Sequence, residues 1–458
     1  MRELVCDVAV IGAGTAGIAA YRAACESGVH AVLVEQGPGG TTCARVGCMP
    51  SKLLITAANA AFEARSADRF GVHVQGVQVR GREVLQRVRH ERDRFVAGVF
   101  DGLHEYPEDS RIIGRAVFEN DTTLRIDDAV RLRFKASVIA TGSSPSVPEP
   151  LKGLGDRVLT TDTLFEIDDL PASIAVLGGG PVGLELAQAM SRLGVETALF
   201  DPAGTLGGLK DADLSAAAHE IFGEEIVLHL GATVERAESA GDGVTLHWSC
   251  KNAGTESAKF ARVLSAAGRP PNLNGIGLER TQLSLDEKGM PAFDQRTLLC
   301  EGAPIFIAGD ANQDRPVLHE ASRQGSIAGR NAAAIARSDE SAVARPERWV
   351  SLAMVFTDPQ IAAIGNIEGR DGKVGRMDFC DQGRARVMGR NRGGLRIYTD
   401  RASQLVGAEI FGPGAEHLAL VLAYAIEGRL SAQTLLDRPF YHPTLEEGLE
   451  TALSSISA

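Results

Sequence analysis

Two segments of this 458-residue chain repeat one pattern: an apolar strand, a glycine-rich turn, a helix of small residues and a second strand ending in an acid. The first runs Val8 to Ile11, then Gly12-Ala-Gly14-Thr-Ala-Gly17, an alanine-rich helix to about Ser27, and a strand from Ala31 to Val34 closing at Glu35. The second runs Ile174 to Leu177, then Gly178-Gly-Gly180-Pro-Val-Gly183, a helix to about Leu193, and a strand from Thr197 to Phe200 closing at Asp201. Glu35 stands 23 positions after Gly12, and Asp201 stands 23 after Gly178. A single hexamer of this kind is weak evidence, because glycine turns are common. Two in the same context with equal spacing predict a duplicated dinucleotide-binding βαβ unit. The glycines let backbone approach a pyrophosphate at a helix N-terminus, and the acid accepts hydrogen bonds from ribose hydroxyls. Pro181 falls in the second turn, where a missing amide at the first helical position is tolerated.

Each unit closes with a matching strand and turn, Val138 to Gly142 in the first and Val263 to Gly268 in the second. Gly12 to Gly142 is 130 positions and Gly178 to Gly268 is 90, so the first unit carries an insert that the pattern reads as helices through His104. Ala303 to Asp310 reads as another buried strand ending in an acid, followed by a helix from Val317 to about Ala336, a return to the first domain. From about Arg345 strand-like segments and then helices at 416–427 and 445–455 form a fourth region, with 337–346 as the linker into it. The expected fold is α/β: two Rossmann-like domains plus a C-terminal α+β domain. The expected bounds are 1–148, 149–272, a central segment 273–342 that completes the first site, and 343–458.

Composition narrows the function classes. A formal charge of -12 leaves no basic surplus to neutralise phosphates, which argues against nucleic acid or an anionic membrane as partner. The seven cysteines are odd in number and mostly scattered, unlike a secretory disulfide framework. The N-terminus enters a strand with no signal-like apolar stretch, and the apolar run 418–426 is too short to span a bilayer. A cytoplasmic protein is expected.

Cys43 and Cys48 stand five positions apart between glycines and a helix start. A structural disulfide stabilises chiefly by closing a long loop, and this pair would close almost nothing. A redox pair is the favoured reading. Two unrelated cysteines in a small-residue loop, or half of a metal site, are the alternatives, although a tetrahedral site needs two further ligands and no second cysteine pair exists. In a straight helix residues five apart lie roughly 7.5 Å apart on different faces, beyond the ~7 Å Cα limit for a bridge, so the backbone must bend, with Gly47 permitting the turn and Ser51 to Ala64 reading as the helix that follows. The other five cysteines read as buried small apolar residues.

Near the C-terminus, Phe440-Tyr-His442-Pro-Thr-Leu-Glu-Glu447 carries the remaining chemistry. On its own, Thr444-x-x-Glu447 fits a helix capping box, and a lone histidine before proline is commonly a loop residue.

Together these motifs resemble the flavin-dependent pyridine nucleotide-disulfide oxidoreductases over nearly the whole chain. The segment Cys-Ala-Arg-Val-Gly-Cys-Met-Pro-Ser-Lys52 looks most like that of the dihydrolipoamide dehydrogenases, whereas glutathione reductases usually carry a different residue at Ser51. The resemblance implies FAD on the first unit through Gly12, Gly14, Gly17, Glu35, Thr41, Thr42, Lys52, Ala116, Thr141, Gly142 and Asp310, with the backbone at Leu318 and His319 near the flavin ring. It implies NAD on the second unit through Gly178, Gly180, Gly183, Glu185, Asp201 and Gly268, with Glu185 also pairing Lys52. Asp201 would repel a 2'-phosphate, and positions 202 to 209 hold no arginine, which favours NAD over NADP.

The resemblance also makes Cys43 the substrate-facing and Cys48 the flavin-facing thiol. It gives His442, oriented by Glu447, a base role in the partner subunit's active site of a homodimer. No metal is expected. The implied activity is oxidation of dihydrolipoyl groups with NAD as acceptor, on a lipoyl domain of a 2-oxoacid dehydrogenase or glycine-cleavage complex. An NAD(P)H-dependent reductase of another disulfide is the alternative. A flavin-bound sensor without turnover is a third reading, disfavoured by retention of all four catalytic residue types.

Overall fold

The computed structural model describes residues 1–250, 253–367 and 372–457, and the chain forms two compact units. One comprises Met1–Pro50, Arg89–Pro145 and Arg269–Arg348; the other comprises Ser51–Val88, Ser146–Gly268 and Trp349–Ala458.

The first unit is built on a five-stranded parallel sheet in the order Ile305–Ile307, Ala136–Ile139, Val8–Ile11, Ala31–Glu35 and Arg111–Ile113. Val8 to Ile11 are all buried, as expected where both faces of a parallel sheet are covered. Strand Ile305–Ile307 joins the edge beside Ala136–Ile139, so a segment distant in sequence completes the sheet. Helix Leu318–Ala336 then packs on helix Thr15–Glu26 at backbone distance. A Cβ at Gly325 would lie 2.1 Å from the Ala16 carbonyl oxygen, and one at Gly329 would lie 2.2 Å from that of Ala20. The predicted linker 337–346 is not a free tether: buried Asn331 donates to the carbonyls of Thr297 and Ala344 and accepts the Ala344 N–H.

The second unit repeats the parallel architecture, with strands ordered Val227–Leu230, Glu196–Asp201, Ser173–Leu177, Arg262–Ser265 and Val158–Leu159. A three-stranded antiparallel sheet spanning Ala232–Ala240, Gly243–Cys250 and Ala253–Phe260 is inserted before its closing strand. Mostly polar, exposed first and third strands leave this insert without a clear apolar alternation in the sequence. The C-terminal antiparallel sheet runs in the order Leu352–Val355, Gln360–Gly365, Leu405–Gly412, Gly394–Thr399 and Val374–Asp378. Helix Ala415–Glu427 buries Leu418, Ala419 and Leu422 against that core and leaves Leu420, Val421 and Tyr424 exposed. No described helix is long and apolar enough to cross a membrane.

Candidate active site

In the first unit the predicted residues collect where parallel strands end, the position at which open α/β sheets bind ligands. Gly12 has φ +103°, and a Cβ there would lie 2.4 Å from the Ala140 carbonyl oxygen. A Cβ at Gly17 would strike the Gly12 carbonyl at 1.7 Å, so helix Thr15–Glu26 starts in backbone contact with its own turn. Gly14, the N-cap, faces open space. Glu35 closes its strand with Oε2 accepting the Ala13 N–H and Oε1 the Gly37 N–H, both at 2.7 Å. The carboxylate is thereby fixed at the mouth of the turn, with lone pairs left for hydroxyl donors.

Around this cradle, Asn272 donates to the Thr141 carbonyl at 3.0 Å, and Gly142 takes φ +68°. The Thr141 hydroxyl is buried with no hydrogen-bond partner among the described residues, an orphan that a bound ligand would satisfy. Asp310 accepts from the Ser143 hydroxyl at 2.9 Å, and Arg269 donates to both the hydroxyl and the carbonyl of Ser143. Gln324 fixes the Asp310 turn by accepting from Gly309 N–H and the Asn312 amide. Leu318 and His319 open helix Leu318–Ala336 and are exposed. Ala116 is buried at a strand start, leaving its backbone as the part able to meet a ligand. Ser143, Arg269, Asn272 and Gln324 were not singled out from the sequence. Their signal is weak: two directly follow a closing glycine, and the others are lone amides whose role depends on the fold.

The second unit repeats the cradle's backbone contacts, with Asp201 in place of Glu35. Gly178 has φ +115° and would place a Cβ 2.4 Å from the Ala266 carbonyl; a Cβ at Gly183 would lie 1.9 Å from that of Gly178; Gly180 again faces open space. Asp201 Oδ2 accepts the Gly179 N–H and Oδ1 the Ala203 N–H, both at 2.7 Å. Pro181 occupies the first turn of helix Pro181–Arg192, and Gly268 takes φ +109°. A carboxylate at this point fits a ribose with a free 2'-hydroxyl better than one bearing phosphate.

The cysteine segment is bent as its spacing demands. Helix Thr42–Arg45 ends at Val46, and a new helix, Cys48–Arg65, starts after Gly47, earlier than the Ser51 start expected from sequence. A Cβ at Gly47 would lie 2.9 Å from the Thr42 carbonyl oxygen and 3.4 Å from Cys43 Cα, so the chain between the two helices turns back tightly against Thr42 and Cys43. Thr41 holds φ +59°, rare for a β-branched residue, while its hydroxyl caps the short helix through Ala44 N–H at 3.2 Å. Cys43 is half-buried and Cys48 exposed.

Within the second unit, Lys52 Nζ lies 2.7 Å from Glu185 Oε2 and 4.6 Å from the centre of the Phe356 ring. Glu185, 5% exposed, also accepts the Phe356 N–H at 2.8 Å. An ion pair with so little solvent on the carboxylate is a positioned cation rather than a solvated surface lysine.

His442 Nδ1 and Glu447 Oε1 are 2.8 Å apart, while Glu447 Oε2 accepts the Thr444 N–H at 3.1 Å. These two hydrogen bonds, that of His442 first, hold the Glu447 carboxyl below the usual carboxylate range. The capping and orienting readings therefore coexist, one per carboxylate oxygen, at the start of helix Glu447–Ser457. The Thr444 hydroxyl donates to Tyr441 instead of closing a full box. His442 is 79% exposed at its side chain, with Nε2 left for an external proton donor.

Each unit thus carries one nucleotide cradle, the first with the bent cysteine segment and the second with the carboxylate-oriented histidine. The pattern described as pyridine nucleotide-disulphide oxidoreductase matches residues 6–325, and that family's dimerisation domain matches residues 352–453. The chain belongs to this family, whose enzymes use FAD and NAD. It is 30% identical to a dihydrolipoyl dehydrogenase of Chlamydia muridarum, covering 98% of this chain and 97% of the relative. It is also 30% identical to one of Geobacillus stearothermophilus, covering 96% and 94%. Among solved structures, LpdA from Mycobacterium tuberculosis superimposes with a TM-score of 0.83 at 23% identity, covering 98% and 99% of the two chains. The HOCl-induced flavoprotein disulfide reductase RclA from Escherichia coli gives 0.81 at 23%, with the same coverage. These two likenesses are of fold.

Proposed function

We propose that this protein is a cytoplasmic homodimeric dihydrolipoamide dehydrogenase that oxidises the dihydrolipoyl group of a lipoyl domain in a 2-oxoacid dehydrogenase or glycine-cleavage complex, with NAD as acceptor. The observation that carries this reading is the full-length likeness to dihydrolipoyl dehydrogenases at 30% identity. The residues fit the cofactors: the open space at Gly14, the fixed Glu35 and the orphan Thr141 hydroxyl suit FAD, while Asp201 suits NAD.

A thiol attacks a disulfide only as thiolate, and an ordinary thiol is mostly protonated at neutral pH. The partner subunit's His442, held through Nδ1 by Glu447, takes the substrate proton at Nε2. The substrate thiolate attacks Cys43 Sγ of the oxidised pair, the Cys43–Cys48 bond breaks, and Cys48 leaves as thiolate. The second substrate sulfur, deprotonated in turn, attacks the first; the bond to Cys43 breaks and cyclic lipoyl disulfide departs. Two electrons now rest on Cys43 and Cys48. Bound FAD would supply the relay that draws these electrons from Cys48 and passes them as hydride to NAD. Lys52, neutralised by Glu185, would supply a fixed cation for the flavin.

Measurement of NAD reduction by dihydrolipoamide beside NADPH oxidation by glutathione disulfide tests the reading. Dihydrolipoamide turnover at least tens of times faster than the glutathione reaction is expected. Absence of dihydrolipoamide turnover in flavin-loaded enzyme rejects it.

A further inference from the structure

Glu409 sits within strand Leu405–Gly412 of the C-terminal sheet and is 1% exposed. Its carboxylate is spent on another segment. Oε1 accepts the Lys210 N–H and Oε2 the Asp211 N–H, each at 2.8 Å. A carboxylate is costly to bury, and burial pushes the Glu409 carboxyl above its ordinary range while these two donors oppose the rise. A simple packing position would not need a charge.

The segment it grips begins at Asp201, the acid of the second cradle. Asp201 binds the Gly179 and Ala203 N–H groups, which fixes the near end of 202–211. In the middle, the Gly207 N–H donates to the Gly179 carbonyl at 2.8 Å, tying the loop to the glycine turn itself. Leu206 and Leu209 are buried. The far end is held by Glu409, and Asp211 continues as the N-cap of helix Ala212–Gly223. The loop that walls the acid's side of the cradle is thus fastened to the cradle at one end and to a strand some two hundred residues later at the other.

We infer that Glu409 is a positioning residue for the nicotinamide nucleotide, acting through loop 202–211 to hold Asp201 and the glycine turn in binding geometry. This rests on the reading that the second cradle takes NAD. A preorganised loop spares the ligand the ordering entropy that a loose one would exact at binding. Two hydrogen bonds donated by consecutive amides to one buried carboxylate set the loop's height over the turn, which a neutral side chain cannot reproduce. Glutamine would direct an NH2 group at one of the two N–H donors, and alanine would leave both without an acceptor.

The test uses flavin-loaded Glu409→Gln and Glu409→Ala enzymes, steady-state KM for NAD and for dihydrolipoamide, and NADH titration of each protein. Glu409→Gln should raise KM for NAD and weaken NADH binding about tenfold, with Glu409→Ala worse, while kcat and KM for dihydrolipoamide move less than about twofold. A folded Glu409→Gln with unchanged NADH affinity overturns the inference and leaves the cradle's assignment standing. An equal rise in both KM values also overturns it, since that marks a general structural role. A wild-type enzyme that binds no NADH overturns the assignment and the inference together.

Discussion

Glu447 divides its carboxylate between His442 Nδ1 at 2.8 Å and the Thr444 N–H at 3.1 Å, so one side chain both starts the last helix and fixes the imidazole's orientation. Replacing it by Gln should keep the helix start and lower dihydrolipoamide turnover by about 10- to 100-fold, with little change in KM for NAD. Stopped-flow reduction by dihydrolipoamide checks this, and an unchanged reductive half-reaction would remove Glu447's orienting contact from the mechanism.

The pH dependence of that pair has a fixed sign. The folded Glu447 carboxyl lies below its unfolded value, so its contribution is present above the ordinary carboxylate range and is lost as pH falls through the lowered value. The stability difference between wild-type and Glu447→Gln protein should therefore hold steady above the ordinary carboxylate range and narrow only as pH falls below it. Urea unfolding at stepped pH measures it, and a difference that vanishes well above that range contradicts the depressed ionisation.

Gly47 decides the cysteine geometry. Ala at this position would press on the Thr42 carbonyl oxygen and Cys43 Cα, both backbone atoms with little room to yield. Gly47→Ala should cost about tenfold or more in dithiol oxidation while the protein keeps its flavin. Rapid-reaction reduction kinetics beside flavin content separates the two effects.

The twin glycines allow the two cradles to be tested separately. A methyl at Gly17 meets the Gly12 carbonyl at 1.7 Å, and one at Gly183 meets that of Gly178 at 1.9 Å. Gly17→Ala should yield protein lacking flavin absorbance, whereas Gly183→Ala should remain yellow and lose NADH binding. The reverse pattern would exchange the cofactor assignments.

Asp201→Asn removes the charge that opposes a 2'-phosphate while retaining one acceptor for the backbone. The ratio of kcat/KM for NAD over NADP should fall about tenfold. An unchanged ratio would mean that Asp201 does not face the ribose.

Lys52→Met leaves Glu185 buried at the carboxylate end without its cation. Because Lys52 itself is about one-third exposed, the expected loss is about 2 kcal/mol rather than the full cost of breaking an interior pair. Urea unfolding measures it, and Glu185→Gln should cost less.

The duplicated cradle was legible in the sequence because its determinants are local. Backbone approach at Gly12 and Gly17 excludes any side chain, so the glycines must be written into the chain, and the acid must fall one βαβ length later. The bend between Cys43 and Cys48 followed from spacing alone, although its helix starts three residues earlier than the pattern indicated. The inserted sheet 232–260 escaped because two of its three strands present polar, exposed residues with no strong alternation.

Which distant groups meet was decided by tertiary structure. The pairing of Ile305–Ile307 with Ala136–Ile139 carries Asp310 to Ser143, and the packing of Gly325 on Ala16 brings helix Leu318–Ala336 to the same sheet. Ser143, Gln324 and Glu409 are ordinary polar residues in the sequence. Each acquires its role from a hydrogen bond to a segment whose position depends on long-range burial, and burial leaves no local pattern around the residue that it enlists. The two cradles and the chemistry of the cysteine pair are written locally in the chain, because sterics and spacing act within a few residues. The surrounding supports of those sites were set by the folded chain, where one buried acceptor can be matched to donors two hundred residues away.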